Sequence, residues 1–344
     1  MKERVTLALI GDIMLGRGVN QEIAYRHPES FWGSTLPVLR AADAVIANLE
    51  CAITEHTQPW ERTPKRFHFR AAPTAVHVLQ AANIQWVSLA NNHTLDFEEE
   101  GLLDTVQYLG ASGIHHAGAG RNLQEAVQPT LMDIAGLKVG LIALTDNEPS
   151  FAAHADHPGT YYLEIHSDSL TLARIQSLVK QLRQEGAELI ILSAHWGPNM
   201  VLSPPPRFCS FARAVIDVGV DLFYGHSAHL CQGVEVYQQG LILYNTGDFL
   251  DDYAVDPVLH NDWSFAFLVE VDSQGLSLRR LRMLPVRLRY ARVDLAQGAE
   301  FMAIRQRMQS LCAPFHTAVS ETSEGLEVLL SEKAKPVEVE GLNI

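Results

Sequence analysis

The sequence lacks the cysteine patterns that stabilise small disulfide-rich domains and zinc ribbons. Among 344 residues there are only four cysteines, Cys51, Cys209, Cys231 and Cys312, and no two of them lie close together along the chain. Closely paired cysteines mark disulfide frameworks and thiolate zinc sites, so neither class is indicated here. We expect the cysteines to be reduced and the protein to occupy a reducing compartment.

Basic residues are scarce, and long apolar runs are missing. The chain has 26 Lys and Arg against 40 Asp and Glu, a formal net charge of −14, which argues against broad affinity for nucleic acid or an anionic membrane surface. The first apolar run, residues 5–10, is far shorter than the ~20 residues of a membrane-spanning helix. We therefore predict no nucleic-acid partner, no membrane span and a cytoplasmic location. A polyanionic substrate would need a local cationic site.

The composition is that of a globular protein with a full core. Hydrophobic residues make up 47% of the chain and charged residues 19%, which excludes a disordered protein. The length allows one large or two modest domains. We predict one main domain over residues 1–290, with a C-terminal extension over residues 291–344 packed on the same domain.

Helical spacing of apolar residues predicts helices at about residues 73–82, 99–112, 167–184 and 297–311. Six short apolar runs predict strands, at residues 5–10, 44–47, 85–89, 139–144, 189–193 and 221–224. Each strand is followed within four residues by Asp, Glu, Asn or His. A single acid after a strand is often only a turn residue, but ligands of open α/β sheets bind beyond the carboxyl ends of the strands. The candidates at this common rim are Asp12, Glu50, Asn92, His93, His195, His226 and His229.

The donor types of this set suit a divalent cation. Carboxylates neutralise charge, imidazoles supply nitrogen and an amide supplies oxygen, a mixture that favours manganese, iron or zinc over a structural thiolate site. One or two ions are both compatible with the set. For His226 and His229 the alternative is a pair of hydrogen-bonded loop histidines.

Five short blocks occur in a fixed order: residues 11–14 with Arg17, residues 48–50, residues 91–93 with Asp96, residues 195–197 and residues 225–229. Together they resemble capsule-synthesis proteins of the CapA type, which are linked to poly-γ-glutamate and belong to the metallophosphatase-like (calcineurin-like phosphoesterase) superfamily. The resemblance spans about residues 5–270. It implies a four-layer α/β/β/α sandwich, whereas the strands alone suggest a simple doubly wound sheet.

The resemblance also implies metal-binding roles. Asp12 resembles the first metal carboxylate and Glu50 the bridging one, Asn92 resembles the amide ligand, and His195 with one or both of His226 and His229 resembles the imidazole ligands. Two departures stand out. Calcineurin-like enzymes have a histidine where this chain has Met14, and their last two histidines are two residues apart, whereas these are three apart.

Other residues are expected to contact the substrate. His93 resembles the acid that protonates a leaving group, and Asp96 is expected to orient it or to cap the next helix. Arg17 and Arg66 are candidates for binding a carboxylate or phosphate, although a solvated basic loop is an alternative. Trp196 is a candidate substrate platform or, alternatively, a packing residue.

These features predict a metal-dependent hydrolase that uses metal-activated water on a phosphoester or a γ-glutamyl polymer, a small-molecule or polyanionic substrate. The alternative is a non-catalytic auxiliary protein that binds polyglutamate during capsule synthesis or export. Met14 favours this alternative, and the absence of a recognisable membrane anchor argues against it.

Overall fold

The computed structural model describes residues 2–166, 168–272 and 277–330. The strands are β1 (Arg4–Ile13), β2 (Ala44–Leu49), β3 (Ala52–Ile53), β4 (Arg70–Ala71), β5 (Ile84–Ser88), β6 (His115–Ala117), β7 (Ala119–Gly120), β8 (Thr130–Ile134), β9 (Leu137–Thr145), β10 (Gly159–Thr160), β11 (Leu189–His195), β12 (Leu222–His226), β13 (Val234–Tyr237), β14 (Gly240–Leu243), β15 (Asp248–Leu250), β16 (Trp263–Asp272), β17 (Ser277–Arg289), β18 (Arg292–Leu295), β19 (Ser320–Glu321) and β20 (Leu326–Leu329). The α-helices are α1 (Arg17–Ile23), α2 (Leu36–Ala41), α3 (Val76–Ala81), α4 (Glu98–Ala111), α5 (Leu123–Val127), α6 (Ser169–Gln184), α7 (Pro206–Asp217) and α8 (Gly298–Cys312).

Two mixed sheets carry the fold. The larger has the strand order β19-β20-β17-β16-β1-β2-β5-β6, with β15 pairing β1 and β18 pairing β17. The smaller has the order β13-β14-β12-β11-β9-β8. Within the larger sheet β1, β2, β5 and β6 run parallel, and within the smaller one β9, β11, β12 and β14 do so. Each sheet therefore has a parallel half whose carboxyl ends form a rim.

The two sheets pack face to face with helices outside them. Along β1, Val5, Leu7 and Leu9 belong to the apolar layer between the sheets, while Ala8 and Ile10 belong to the layer beneath the helices of the N-terminal half. In β11, Leu189 and Ile191 likewise face the inter-sheet layer, and the intervening residues face the layer of α6 and α7. This alternation follows the two-residue repeat of a strand and produces four layers, α/β/β/α.

The helices predicted from apolar spacing are all present, with bounds that differ by a few residues. The first turn of the predicted helix at 73–82 is a 3₁₀ turn, Pro73–Ala75, and residue 167 of another lies outside the described residues. β17, the longest strand described, was not predicted, and neither were β18, β19 and β20. β18 and β20 pair with β17, so residues after 290 add to the large sheet. Residues 331–344 of the predicted extension lie outside the described residues, and its boundary at 291 stays a prediction.

No helix in the described part of the chain is both long enough and apolar enough to cross a membrane.

Candidate metal centre

The polar residues that follow the parallel strands meet at the rim shared by both sheets. Asp12 lies in β1 beside Asn48 of β2, its partner in the parallel register. His195 and His226 end β11 and β12, where they are register partners. The two sheets are also linked directly, because the buried Tyr224 hydroxyl donates a hydrogen bond to the carbonyl of Ile10. The strand-end prediction therefore brings together residues from opposite sheets.

One group of potential ligands consists of Asp12, His195 and His226, all buried, with one donor atom from each within 4.8 Å of the others. Asp12 Oδ1 lies 3.6 Å from His226 Nδ1 and 4.0 Å from His195 Nδ1. Asn48 Nδ2 donates to Asp12 Oδ1 at 2.8 Å, which fixes the carboxylate. This group offers one carboxylate and two imidazoles to a cation.

A second group shares Asp12 and adds Glu50, His229 and Asp248. His229 Nδ1 lies 2.8 Å from Asp248 Oδ1 and 3.9 Å from Asp12 Oδ2. Glu50 Oε1 is 3.8 Å from His195 Nε2, so Glu50, the predicted bridging carboxylate, also reaches the first group. Asp12 is the member common to both groups.

An unusual turn after β12 brings His229 back to this rim. Ser227 and His229 both have positive φ, at 107° and 56°, a conformation that is costly for residues other than glycine. In return, Ser227 N donates to Asp12 Oδ2 at 3.1 Å. The three-residue spacing of His226 and His229 thus places them in different groups.

The carboxylates are crowded and buried. Burial, together with the negative charge of Asp248, raises the pKa of Asp12 to about 7, although His229 and the hydrogen bond from Asn48 oppose the shift. Burial and the charge of Asp12 raise the pKa of Glu50 well above its usual value. The free-energy cost of ionising such carboxylates is small only where a cation neutralises their charge.

The pKa values of the imidazoles are shifted in opposite directions. Burial lowers the pKa of His226 to about 3. Burial and the neighbouring His226 and His229 lower the pKa of His195 well below its usual value. Burial also opposes protonation of His229, but the charges of Asp248 and Glu50 outweigh it and hold its pKa well above normal. The first group therefore contains neutral imidazoles, the form that binds metal.

Unsatisfied polar atoms test whether a divalent ion fits here. Among the described residues, Glu50 Oε1, Asn92 Oδ1 and Asp248 Oδ2 are buried without a hydrogen-bond partner. Buried polar atoms are normally paired, and three orphaned oxygens in one region call for an explanation. Oxygen donors beside neutral imidazoles are the ligand types of manganese, iron and catalytic zinc. The residues present fit a divalent cation.

His93 is held by a hydrogen bond beside these groups. Its Nδ1 donates to Asp96 Oδ2 at 2.6 Å, and its Nε2 lies 3.9 Å from Glu50 Oε1. Asp96 Oδ2 also accepts from the backbone N of Phe69, and Lys65 Nζ lies 3.3 Å from Asp96 Oδ1. The ring of Phe69 stacks on His93, 4.1 Å between centroids. Nε2 is therefore the nitrogen left to exchange a proton at the rim.

A cavity of about 610 Å³ opens beside His93 and His229. Its lining includes Arg17, Lys65, Arg66, Phe67, Phe69, Asn92, His93, His229 and Tyr253. Arg17 is already ion-paired with Asp252 at 2.6 Å. Arg66 is exposed, and among the described residues it has no ion pair or hydrogen bond, only a contact with the Phe67 ring.

Trp196 does not line this cavity. Its ring is 3% exposed and packs against Phe208 and Phe223, while its Nε1 donates to the carbonyl of Tyr244 at 3.0 Å. The packing alternative describes this environment, and the structure gives no surface of the ring to a substrate at this cavity.

Three residues of the site were not assigned as metal ligands or catalytic residues from the sequence. Asn48 fixes Asp12, Asp248 belongs to the second group, and the Tyr253 hydroxyl donates to Glu50 Oε2 at 3.4 Å. Asp248 follows the apolar residues 240–244 in the same way that the other candidates follow their strands. The strand-end rule therefore applies to Asp248 as well.

Comparisons with known proteins agree with this geometry. A family model described as bacterial capsule synthesis protein PGA_cap matches residues 6–253. The chain belongs to this family. This PGA_cap member is 29% identical to a Mycobacterium tuberculosis protein named "Probable polyglutamine synthesis accessory protein", over 94% of this chain and 95% of that protein. It is 30% identical to capsule biosynthesis protein CapA of Bacillus anthracis over 73% of this chain, covering 60% of that protein.

The metallophosphatase-like fold is supported independently. A crystal structure of a phosphatase from Mycoplasma pneumoniae aligns with this PGA_cap member at a TM-score of 0.52 and 11% identity, over 83% of this chain and 95% of the other. Identity that low establishes the fold alone. The CapA resemblance predicted from the sequence blocks and the four-layer sandwich are both confirmed.

Proposed function

We propose that this PGA_cap protein is a metal-dependent hydrolase that acts on a phosphoester or a γ-glutamyl bond in capsule or polyglutamate metabolism. The observation that carries the proposal is the pair of ligand groups sharing Asp12, with unpaired buried oxygens on Glu50 and Asp248. A divalent ion held there would neutralise the buried carboxylates, lower the pKa of water and polarise the bond to be cleaved. We infer Mn, Fe or Zn from the mixed oxygen and nitrogen donors.

His93 is proposed as the general acid. Asp96 accepts a hydrogen bond from Nδ1 and fixes the ring, so Nε2 faces the rim and can pass a proton to the leaving group. Burial lowers the pKa of His93, and the charge of Asp96 opposes that shift. The pKa remains below its usual value, so Asp96 offsets only part of the effect of burial.

An anionic substrate is proposed for the adjoining cavity. Arg66 projects from the loop that lines it and has no acidic partner among the described residues. Its guanidinium is free to bind a carboxylate or phosphate. The aromatic rings of Phe69 and Tyr253 in the same lining provide apolar contact for the rest of the ligand.

The test combines metal content with turnover. Purified protein is analysed for bound Mn, Fe and Zn, then incubated with bis(p-nitrophenyl) phosphate and with poly-γ-glutamate of defined length. We expect metal-dependent cleavage of one of them, lost in His195→Ala and retained in Asp294→Asn, whose residue belongs to neither ligand group. Metal-free protein, or activity unchanged in His195→Ala, would refute the proposal.

A second function is favoured by Met14 and by the accessory-protein name of the M. tuberculosis relative. In that case the protein binds polyglutamate without cleaving it. Binding of poly-γ-glutamate with no loss of polymer length over time, in protein loaded with metal, would identify this alternative.

A further inference from the structure

The position at which calcineurin-like enzymes have a histidine holds a methionine, which supplies no nitrogen donor to either ligand group. Met14 is completely buried in the apolar layer beneath the N-terminal helices. Its sulfur accepts a hydrogen bond from the backbone N of Gly16 at 3.0 Å. Met14 thus contributes packing, and a cation bound by Asp12, Glu50 and His229 would lack one donor from this side.

Asp248 lies where that donor is needed. The short strand β15 pairs with β1 in parallel, with Asp248 as the register partner of Asp12. Asp12 N donates to the carbonyl of Gly247 at 2.9 Å. This approach requires glycine at position 11, because a Cβ there would overlap the carbonyl oxygen of Gly247. The backbone itself therefore holds Asp248 beside Asp12.

One carboxylate oxygen of Asp248 has a hydrogen-bond partner and the other has none among the described residues. Oδ1 lies 2.8 Å from His229 Nδ1, whereas Oδ2 is buried and has no hydrogen-bond partner among the described residues. A carboxylate that only oriented His229 would not require its second oxygen to remain buried and unpaired, since burying an unpaired oxygen costs stability. An ion bound by Oδ2 would remove that cost.

We propose that Asp248 is a metal ligand through Oδ2 and that it replaces the nitrogen donor that Met14 cannot supply. The inference rests on the proposed metal dependence and deepens it. It gives the group of Asp12, Glu50, His229 and Asp248 three carboxylates and one imidazole. Such an oxygen-rich set favours a harder ion, manganese over zinc, relative to the group that contains His195 and His226.

The test measures binding of Mn²⁺ to metal-stripped full-length protein by isothermal titration calorimetry, with bound ions counted by elemental analysis. In Asp248→Asn the amide can still accept a hydrogen bond from His229, but it loses the anionic ligand. We expect this variant to bind one Mn²⁺ ion fewer per chain, or to bind the weaker ion at least 100-fold less tightly.

The matched control is Asp251→Asn. Asp251 is also buried, and its Oδ2 is unpaired as well, but it belongs to neither ligand group. Its substitution removes the same charge from the same segment, so we expect less than a tenfold loss of affinity. The double variant Met14→His/Asp248→Asn should regain the lost ion and bind Zn²⁺ better relative to Mn²⁺ than the wild type does.

The outcomes separate this inference from the proposed function. A wild type that binds Mn²⁺, with Asp248→Asn binding it equally well, overturns the role of Asp248 and leaves metal dependence standing. Equal losses in Asp248→Asn and Asp251→Asn show a general charge effect and also overturn it. A wild type that binds neither Mn²⁺ nor Zn²⁺ overturns both proposals.

A second measurement does not depend on a variant folding. Wild-type crystals grown with Mn²⁺ should show an anomalous peak within about 2.5 Å of Asp248 Oδ2, a carboxylate–metal bonding distance. A peak at the other donors of the group but more than about 3.5 Å from Asp248 would contradict the assignment.

Discussion

Removing the ions should lower the thermal stability of the protein by an amount that can be worked out. Ligands that bind only the folded state add RT ln(1 + [L]/Kd), about 2.7 kcal/mol per site when the free ion is at 100 times its Kd. An unfolding entropy of about 2.1 cal/mol/K per residue gives about 0.7 kcal/mol/K for a chain of 344 residues. Two independent sites would therefore raise the Tm by about 8 °C, and one site by about 4 °C.

The structure indicates why metal-free protein should be the weaker state. Asp12, Glu50 and Asp248 are buried together, and the charges of Asp12 and Asp248 act on Glu50 in the direction that opposes ionisation. Only His229 in this group provides compensating positive charge. Folding without a cation must either protonate these carboxylates or leave them repelling one another.

The assay is scanning calorimetry of chelator-stripped protein titrated with MnCl₂. The midpoint should rise with the logarithm of the ion concentration once that exceeds the Kd. Asp12→Asn removes the residue shared by both groups and should abolish most of the response. Asp294→Asn, in the partly buried strand β18, should respond as the wild type does, because Asp294 pairs with Arg292 and belongs to neither ligand group. A wild-type midpoint that stays within about 1 °C between chelator and millimolar Mn²⁺ would refute the reasoning.

Three further predictions concern residues around the groups. Trp196→Ala should lower the free energy of unfolding, measured by chemical denaturation, by about 3–5 kcal/mol, as loss of a buried aromatic ring does. The metal content, measured by elemental analysis, should stay unchanged. Asp96→Asn should reduce kcat, because His93 loses the acceptor that fixes it, and should leave the number of bound metal ions unchanged. Steady-state kinetics and elemental analysis measure the two effects. Arg66→Ala should raise KM for an anionic substrate with little change in kcat, and the difference should shrink at high salt because the contact is exposed and screened.

Much of the site was predictable because parallel strands end at a common rim. Asp12, His195 and His226 follow apolar runs that are too short for helices, and the structure brings all three together. The rule uses only strand periodicity and the geometry of parallel sheets, so it does not depend on knowing which strands are neighbours. The four layers, by contrast, came from the family resemblance. Nothing in the spacing of the runs indicates that they divide between two sheets.

The missed strand β17 shows where the pattern is too weak to read. Its residues include five arginines and Pro285, and its buried positions do not alternate, since residues 283–286 are all buried while 279, 280 and 282 are only partly buried. It pairs with β16 over ten residues and also carries β18 and β20. The surrounding sheet, and not the local pattern, determines its conformation, since pairing and burial outweigh intrinsic preference in strands.

The roles of His226 and His229 depended on two backbone features that a sequence does not reveal. Positive φ at Ser227 and His229 sends the second imidazole toward Asp248, while the first stays with His195. The second group then depends on β15 reaching β1, which Gly11 permits. Donors of the correct type were visible along the chain, but their division between two groups is a property of the turn and of this close approach. The site is thus built from both sheets at once, and a change that shifts one sheet against the other would alter both groups through Asp12.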